Sequence, residues 1–347
     1  REYDVLVASG EQVTIALLSI CLKSMGYNAK SYLGHQVPIV TDSAFSKARI
    51  DRICDKKIRG DLDSGTIIIA AGFQGVDKDG NISTLGRGGS DTSAVALAAA
   101  LKADVCEIFT DVDGVYTTDP NICSDARKID RISYDEMLEL ASLGAKVLQI
   151  RSVEFAKKYN VDVHVRSSFN DNPGTLVTKE DSEMESILVS GITYAKDETK
   201  IAVMRVPDKP GIAARLLSPL SAANISVDMI VQNVSEEGYT DFTFTVCKAD
   251  FKKALMITKE AAAEINARDV ITDENISKIS IVGLGMRSHA GVATKMFETL
   301  AEEGINIQMI STSEIKISVI VDAKYTELAV RVLHDVFGLA GKDVKPE

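Results

Sequence analysis

Three glycines, an arginine, a serine and an aspartate are concentrated in GRGGSD at residues 86–91, in front of an alanine-rich run. Glycine lets a backbone approach a ligand closely. The run predicts a helix over 92–102, and a helix N-terminus favours an anion. Arg87 could pair with a carboxylate through two parallel hydrogen bonds, and Ser90 or Asp91 could cap the helix. The alternative for this loop alone is a glycine-rich connector with a cap, since it is neither a P-loop nor a dinucleotide-binding fingerprint.

A second polar cluster, TDVDGVYTTDP at residues 110–120, lies where a strand predicted within VCEIFTDVDGVY at 105–116 ends in a turn. It offers three carboxylates, Asp111, Asp113 and Asp119. In a parallel sheet, ligands bind beyond the carboxyl ends of the strands, and carboxylates there suit Mg²⁺ or nucleotide hydroxyl groups. The alternative is an Asp-rich turn that binds nothing.

A lysine among small and apolar residues is the third candidate, Lys146 in GAKVL at residues 144–148. Its ammonium could reach a nucleotide phosphate, or its stem could cover apolar surface while the charge extends to water. The surrounding sequence predicts one helix over 134–159. Each motif alone has a purely structural explanation, and their combination is what favours a binding site.

The elements that must position these groups alternate between strand and helix over the first 180 residues. The block GTIIIAAGF is apolar almost throughout, as in a strand buried on both faces. Strand–helix alternation predicts an α/β domain with a largely parallel sheet flanked by helices. The other predicted elements are a strand at 5–8, a helix at 11–25, and strands at 65–73 and 161–168.

Beyond residue 198 the chain repeats itself at a constant offset of 80. Residues 209–232 align with 289–312, and Gly211 matches Gly291. A period this long indicates two copies of a small βαββα domain rather than a solenoid. The predicted elements around the aligned segments are strands at 200–206, 241–247, 279–284 and 315–321 and helices at 250–265 and 326–337.

Composition excludes several classes of protein. The formal net charge of −11, without a large Lys/Arg cluster, argues against nucleic-acid binding. The five cysteines are odd in number and lack C-x-x-C spacing, which argues against disulfides and zinc and favours a cytoplasmic location. No apolar run is expected to approach the roughly 20 residues that span a membrane, and no signal peptide is expected.

In combination, these motifs resemble the aspartokinase branch of the amino-acid kinase family, and the resemblance covers essentially the whole chain. It implies an amino-acid-kinase-like catalytic domain at 1–180, followed by two ferredoxin-like α+β ACT domains at 199–273 and 276–347. The segments that carry it are SGE at 9–11, GFQG at 72–75, GRGGSD at 86–91, TDVDGVYTTDP at 110–120, GAKVL at 144–148, RSSFNDNPGT at 166–175 and the 80-residue repeat.

The resemblance implies transfer of the γ-phosphoryl group of ATP to the β-carboxylate of L-aspartate, which gives 4-phospho-L-aspartate for lysine, threonine and methionine synthesis. Arg87 would grip the substrate carboxylate, with Ser90 and Asp91 lining the same site. Glu11 would hold the substrate amino group beside Phe73. Mg²⁺ would be held mainly by phosphates. The residues implied to hold the nucleotide are Thr110, Asp111, Tyr116, Lys146 and Val147.

The ACT pair implies feedback inhibition by threonine, lysine or both, bound between ACT domains of two chains in a homo-oligomer. The DKPG sequence at 208–211 supports this, because a carboxylate can bind where a loop precedes a helix N-terminus. The alternative is that these loops only join strand to helix. The implied effector contacts are Asp208, Gly211, Ile212, Ala213, Ser226, Val227, Asp228, Gln232, Val292, Ala293, Asn306, Ile307, Ser313 and Glu314.

Two departures from the family pattern keep other functions open. Aspartokinases open with Lys-Phe-Gly-Gly-Thr-Ser, whose lysine stabilises the transferred group; this sequence lacks it, and we expect the natural protein to have residues before Arg1. Asn121 stands where the family usually has arginine. One alternative is a non-catalytic or truncated regulatory chain, and another is a kinase of glutamate or N-acetylglutamate. His35, His164 and His334 suggest no function, and His289 is interpreted as loop polarity.

Overall fold

The computed structural model describes residues 1–37, 39–142, 147–233 and 238–340. Two compact units divide the chain. The first consists of Arg1–Val115 with Lys128–Met184, and the second of Tyr116–Arg127 with Glu185–Glu347. The chain therefore leaves the first unit after Val115, returns at Lys128, and passes finally to the second unit after Met184.

The first unit alternates strands with helices. Parallel pairs join β1 to β4, β2 to β5, β7 to β9 and β8 to β10, and antiparallel pairs join β2 to β3, β5 to β6 and β9 to β10. The α/β class is confirmed. Its elements are α1 (Glu2–Ser24), β1 (Ala29–Tyr32), β2 (Ile39–Thr41), β3 (Ile50–Ile53), α2 (Lys56–Asp63), β4 (Ile67–Ala70), β5 (Gln74–Val76), β6 (Ile82–Thr84), α3 (Gly89–Leu101), β7 (Cys106–Thr110), β8 (Arg131–Ser133), α4 (Tyr134–Ser142), α5 (Ile150–Tyr159), β9 (Val163–Ser167), β10 (Thr175–Thr178) and α6 (Ser182–Glu185).

The strand predicted at 5–8 is wrong, because α1 covers Glu2–Ser24 without interruption. Its buried positions, Asp4, Ala8, Ile15 and Ser19, recur every four or seven residues. That spacing is one stripe of a helix, and short apolar runs do not distinguish strand from helix by themselves.

Helix α1 also differs from the expectation that no apolar run approaches membrane length. At 23 residues it is long and apolar enough to cross a bilayer by length and composition. A helix of a protein core or a signal sequence meets the same criterion, so this is weak support for a span.

The single helix predicted over 134–159 is also wrong. Two helices occur there, α4 and α5, and Gln149 starts the second in an extended conformation. Its side-chain oxygen accepts the N–H of Arg151, which caps α5. An N-cap inside a periodic apolar pattern interrupts the helix. Residues 143–146 lie outside the described part of the chain.

The second unit contains two four-stranded antiparallel sheets, ordered β13-β14-β12-β15 and β11-β16-β18-β17. Each of the predicted strands and helices of the repeat is found here. Its elements are β11 (Gly191–Ala195), β12 (Glu198–Pro207), α7 (Ile212–Ala222), β13 (Val227–Gln232), β14 (Tyr239–Cys247), α8 (Phe251–Glu264), β15 (Asp269–Asp273), β16 (Ile276–Val282), α9 (Val292–Glu302), β17 (Met309–Thr312), β18 (Lys316–Asp322) and α10 (Thr326–Val336).

The two repeat copies obtain their edge strands differently. In the first copy β15 follows the second helix and pairs with β12. In the second copy the corresponding edge is β11, which precedes the whole first copy and pairs with β16. The first copy is therefore inserted into the second. Each copy has its own apolar core, centred on Leu216 and Phe244 in the first and on Met296 and Val319 in the second.

Candidate active site and regulatory loops

The glycines of the loop before α3 are required by packing as well as by backbone conformation. Gly86 and Gly88 have φ of 83° and 69°, values that L-residues rarely adopt. A Cβ on Gly86 would lie 2.9 Å from the Ser46 carbonyl oxygen, and one on Gly88 2.5 Å from Gln149 Cγ. The loop therefore has little room to relax.

Gly89, in the first turn of α3, is also required, but by packing alone. A Cβ there would lie 2.8 Å from Leu85 Cβ and 3.1 Å from Phe73 Cδ2. Phe73 itself has φ of 65°, and its N–H donates to Ser93 Oγ at 3.0 Å. Its carbonyl accepts the Leu85 N–H at 2.9 Å. The residue predicted to border the substrate is thus packed directly against the glycine loop.

Arg151, on α5, fixes the loop from the other side. Its two terminal nitrogens donate to the carbonyls of Leu85 and Ala48, each at 2.9 Å. A guanidinium that spans two backbone carbonyls restrains both segments at once. Sequence reasoning missed this residue because its partners lie far away along the chain.

Asp4, on the first turn of α1, was also missed. Its carboxylate is buried and accepts the N–H groups of Thr84 at 2.7 Å and Ser46 at 2.9 Å. Burial alone would raise the pKa of Asp4, but these hydrogen bonds outweigh burial and hold the pKa below its usual value. The start of α1 is thereby tied to the loop that leads to Gly86.

The three polar residues of the loop differ in their surroundings. Arg87 is exposed and makes no ion pair or hydrogen bond with the residues that the structure describes. Ser90 is exposed, with its Oγ 3.4 Å from Asp91 Oδ1. Asp91 accepts the N–H of Gln149 at 3.4 Å, and burial raises the pKa of this carboxyl. The loop thus presents a cation to solvent beside a half-buried acid.

Glu11 lies on α1 and is half-buried. Its neighbour Gln12 donates to Gln74 Oε1 at 3.4 Å, and Gln74 donates to the Ala8 carbonyl at 3.2 Å. These contacts hold α1 against the start of β5, one residue after Phe73. The structure therefore brings the helix that carries Glu11 and the segment that carries Phe73 into contact.

The second polar cluster, at residues 110–120, begins at the end of β7. This strand pairs in parallel with β9, so that Thr110 is opposite Ser167. Thr110 Oγ1 is 3.1 Å from Asp111 Oδ1, and the Asp111 side chain is exposed. Asp113 accepts from Asn172 Nδ2 at 3.3 Å. The carboxyl ends of two parallel strands thus carry polar groups, as the sequence predicts.

The remaining nucleotide contacts implied by the resemblance are Tyr116, Lys146 and Val147. Val147 is half-buried in a turn, and Lys146 lies outside the described residues. Tyr116 belongs to the second unit. Within the described ranges, no group of three or more His, Cys, Asp or Glu side chains could hold a metal ion.

The predicted effector loops of the second unit start α7 and α9. Gly211 and Gly291 are the N-caps, with φ of 89° and 96°. A Cβ on either would meet nothing within 4 Å. These glycines are required by φ alone, and the space next to each glycine is open.

The other predicted effector residues are partly core and partly surface. Ile212 and Val292 are buried, each in the apolar core of its own copy. Ala213, Val227, Ala293 and Ile307 are partly buried. The exposed members are Asp208, Ser226, Asp228, Gln232, Asn306, Ser313 and Glu314.

Asp228 has a partner that the sequence did not suggest. The ammonium of Lys278, on β16, pairs with Asp228 and with Glu198. Burial alone would lower the pKa of Lys278, but the two carboxylates outweigh burial and hold the pKa above its usual value. The Lys278 side chain is only 5% exposed, and its two ion pairs join a strand of the second copy to two strands of the first.

Comparison with known proteins separates the chain into three regions. The Amino acid kinase family matches residues 1–167. Two further matches are to ACT domains, at residues 200–263 and 279–337. These ranges contain the glycine loop and the two repeat copies respectively.

Full-length relatives extend the likeness to nearly the whole chain. An aspartokinase of Pseudomonas aeruginosa is 62% identical over 341 residues, which are 98% of this chain and 83% of that protein. E. coli aspartokinase III in complex with aspartate and ADP is 29% identical, with a TM-score of 0.79 over 96% of this chain and 75% of that one. The same enzyme with lysine and aspartate gives a TM-score of 0.76 at 29% identity over 96% of this chain and 74% of that one.

Proposed function

The chain belongs to the aspartokinase family and is an aspartate kinase, and we propose that its product is 4-phospho-L-aspartate. The observation that carries the proposal is the exposed Arg87 in a loop whose glycines are fixed by packing. The loop fixes the backbone that carries Arg87 and leaves the guanidinium without a partner among the described residues, as recognition of a carboxylate substrate requires. We propose a catalytic domain over 1–180 and ACT domains over 199–273 and 276–347.

In this proposal Arg87 pairs with a carboxylate of L-aspartate, and Ser90 and Asp91 line the same site. Glu11 takes the substrate ammonium, and Phe73 limits the space beside it. An oxygen of the β-carboxylate attacks the γ-phosphorus of ATP, the new P–O bond forms, and the bond to ADP breaks. Such catalysis depends on positioning and on neutralisation of charge.

We place the nucleotide at the carboxyl end of β7, with Thr110 and Asp111 toward it and with Tyr116, Lys146 and Val147 as further contacts. The complex of E. coli aspartokinase III with aspartate and ADP supports a nucleotide substrate. Mg²⁺ would be held mainly by the phosphates. A carboxylate such as Asp111 would supplement them, since Mg²⁺ prefers oxygen ligands.

The second unit is proposed to bind threonine, lysine or both at the loops before α7 and α9 and to inhibit the reaction. The complex of E. coli aspartokinase III with lysine supports an amino-acid effector, and the open space at Gly211 and Gly291 supports the place. The enzyme is proposed to form homo-oligomers through its ACT domains and to act in the cytoplasm, in lysine, threonine and methionine synthesis.

The test is aspartate-dependent ADP release by the 347-residue chain with Mg-ATP. Hydroxylamine added to the assay converts an acyl phosphate into a hydroxamate and thus identifies the product. We expect hydroxamate with L-aspartate, none with L-glutamate, and less when threonine and lysine are added together. Turnover with glutamate alone would refute the proposed substrate. An unchanged rate with threonine and lysine would refute the proposed effectors.

A further inference from the structure

The segment 116–127 contains the second half of the motif at 110–120, yet it folds with the second unit. It follows Asp111, a proposed nucleotide residue, by only five positions. The contacts that hold this segment therefore bear on the nucleotide site through the chain itself. A role for these contacts in nucleotide binding rests on the nucleotide site proposed above.

Thr117 is restrained at each of its polar atoms. It is 1% exposed, its N–H donates to the Arg127 carbonyl at 2.8 Å, and its carbonyl accepts the Ile192 N–H at 2.7 Å. Its hydroxyl accepts the Arg127 N–H at 3.0 Å and is 2.9 Å from Nε2 of His334. Every polar atom of Thr117 is thus bonded within the second unit.

His334, on α10, is fully buried, and its Nδ1 has no hydrogen-bond partner among the described residues. A buried polar atom without a partner destabilises a fold by about 1–3 kcal/mol. Packing alone therefore does not explain a histidine at position 334, whose only described side-chain hydrogen bond is to Thr117. Hydrogen bonding to Thr117 is the one described contact that uses the chemistry of the imidazole.

Two further contacts fix the rest of the segment to the same helix and strand. Arg331, one turn before His334 on α10, donates through Nε to the Ile122 carbonyl at 2.7 Å. Tyr194, on β11, donates to Asp119 Oδ2 at 2.9 Å. Helix α10 therefore contacts the segment at both Thr117 and Ile122.

The chain that connects Thr117 to the first unit is short. Val115 is 1% exposed, its N–H donates to Thr175 Oγ1 at 2.8 Å, and its carbonyl accepts the Ile129 N–H at 2.8 Å. Two residues of chain span at most about 7 Å. Because Val115 and Thr117 are both anchored, their hydrogen bonds limit the backbone conformations open to Tyr116, a proposed nucleotide contact that lies between them in the chain.

We propose that His334 is a positioning residue for the nucleotide site, which acts through its hydrogen bond to Thr117. The imidazole touches no substrate in this mechanism. It holds the segment in the arrangement that the nucleotide site needs.

The experiment is titration of Mg-ADP and, separately, of L-aspartate into the 347-residue chain by calorimetry. The test variants are Thr117→Val, His334→Leu and His334→Gln, the last of which retains a donor at the position of Nε2. The matched control is Thr199→Val, because Thr199 is also a fully buried threonine of the second unit but its hydroxyl has no described partner. Circular dichroism establishes that each variant is folded.

For Thr117→Val and His334→Leu, the dissociation constant of Mg-ADP is expected to rise about fivefold, the equivalent of the roughly 1 kcal/mol carried by one hydrogen bond. L-aspartate affinity should not change, His334→Gln should restore most of the Mg-ADP affinity, and Thr199→Val should match the parent. Mg-ADP affinity within twofold of the parent in both variants would overturn the inference, as would an equal loss of L-aspartate affinity. If the parent chain binds no Mg-ADP, the proposed nucleotide site itself fails and the inference fails with it.

Discussion

Two kinds of glycine-led helix start in this molecule look alike in sequence and differ in structure. Before α3, the glycines at 86, 88 and 89 are enclosed by backbone and side-chain atoms closer than 3 Å to any added Cβ. Before α7 and α9, Gly211 and Gly291 have nothing within 4 Å. The first loop is a packed part of the protein, and the other two border open space.

The difference indicates what each loop can do. A loop enclosed by its own protein holds Arg87 in one place, which suits a catalytic site that must not reorganise. A loop in open space leaves room for a ligand or a second chain, which suits regulation. Three predictions test this distinction, from the largest expected effect to the smallest, and a fourth, with the smallest effect, concerns His334.

Gly89→Ala should have the largest effect. The added Cβ would displace Leu85 or Phe73, and overpacking of this kind destabilises by about 1–3 kcal/mol. A displacement of about 1 Å at a reacting group lowers rates roughly a hundredfold, so kcat/KM for L-aspartate should fall by about that factor. Gly60→Ala is the control, because Gly60 lies on α2 with nothing within 4 Å. Equal activity of the two variants would show that the loop has room after all.

Arg87→Lys should raise the KM for L-aspartate by about tenfold to a hundredfold, since a lysine cannot form the two parallel bonds of a guanidinium. Stability should not change, because Arg87 is exposed and unpaired among the described residues. Steady-state kinetics and thermal unfolding of the same preparation measure the two effects. A large drop in Tm with an unchanged KM would mean that Arg87 has a structural role instead.

Gly211→Ala should lower the unfolding free energy by about 1–2 kcal/mol, because only the left-handed backbone disfavours alanine there. The turnover number without effectors should stay within twofold of the parent, while inhibition by threonine plus lysine should weaken. Chemical denaturation and inhibition curves measure these quantities, and Gly291→Ala provides the corresponding variant of the second copy. A loss of turnover as large as that of Gly89→Ala would abolish the distinction between the loops.

The pH dependence of stability should show the smallest effect. Burial lowers the pKa of His334, while Asp335 and Asp125 oppose the shift and Arg127 adds to it. The unfolded chain, with a histidine pKa of about 6.5, therefore binds a proton more readily than the folded protein. Stability due to His334 is fully present above about pH 6.5 and is lost as the pH falls below it, with a limiting slope of about 1.4 kcal/mol per pH unit.

Denaturation of the parent and of His334→Gln at pH 7.5 and at pH 5.5 measures this term. The advantage of the parent over the variant should be smaller at the lower pH. A constant difference would mean that His334 does not titrate differently in the folded and unfolded states.

Local patterns predicted the glycine loop, the helix after it and the two repeat copies, because their determinants are close in sequence. The residues that hold the loop were not predictable in this way. Asp4 reaches Thr84 across 80 positions, and Arg151 reaches Ala48 across 103. Nothing in a short window indicates such partners.

Sequence patterns also did not reveal which distant segments complete the second copy. Its edge strand β11 precedes the first copy, and residues 116–127 come from within the range that the amino acid kinase family matches. The repeat at an offset of 80 reveals two similar domains but not that other parts of the chain complete one of them. His334 likewise appears as an ordinary helical residue until the fold places Thr117 beside it.

The most direct test compares Arg87→Lys and Gly211→Ala in one assay of aspartate-dependent ADP release, with and without threonine plus lysine. We predict that Arg87→Lys raises the KM for L-aspartate and leaves the fractional inhibition unchanged. Gly211→Ala is predicted to weaken inhibition and to leave that KM unchanged. Variants that each alter both quantities would contradict the assignment of catalysis to the packed loop and regulation to the open ones.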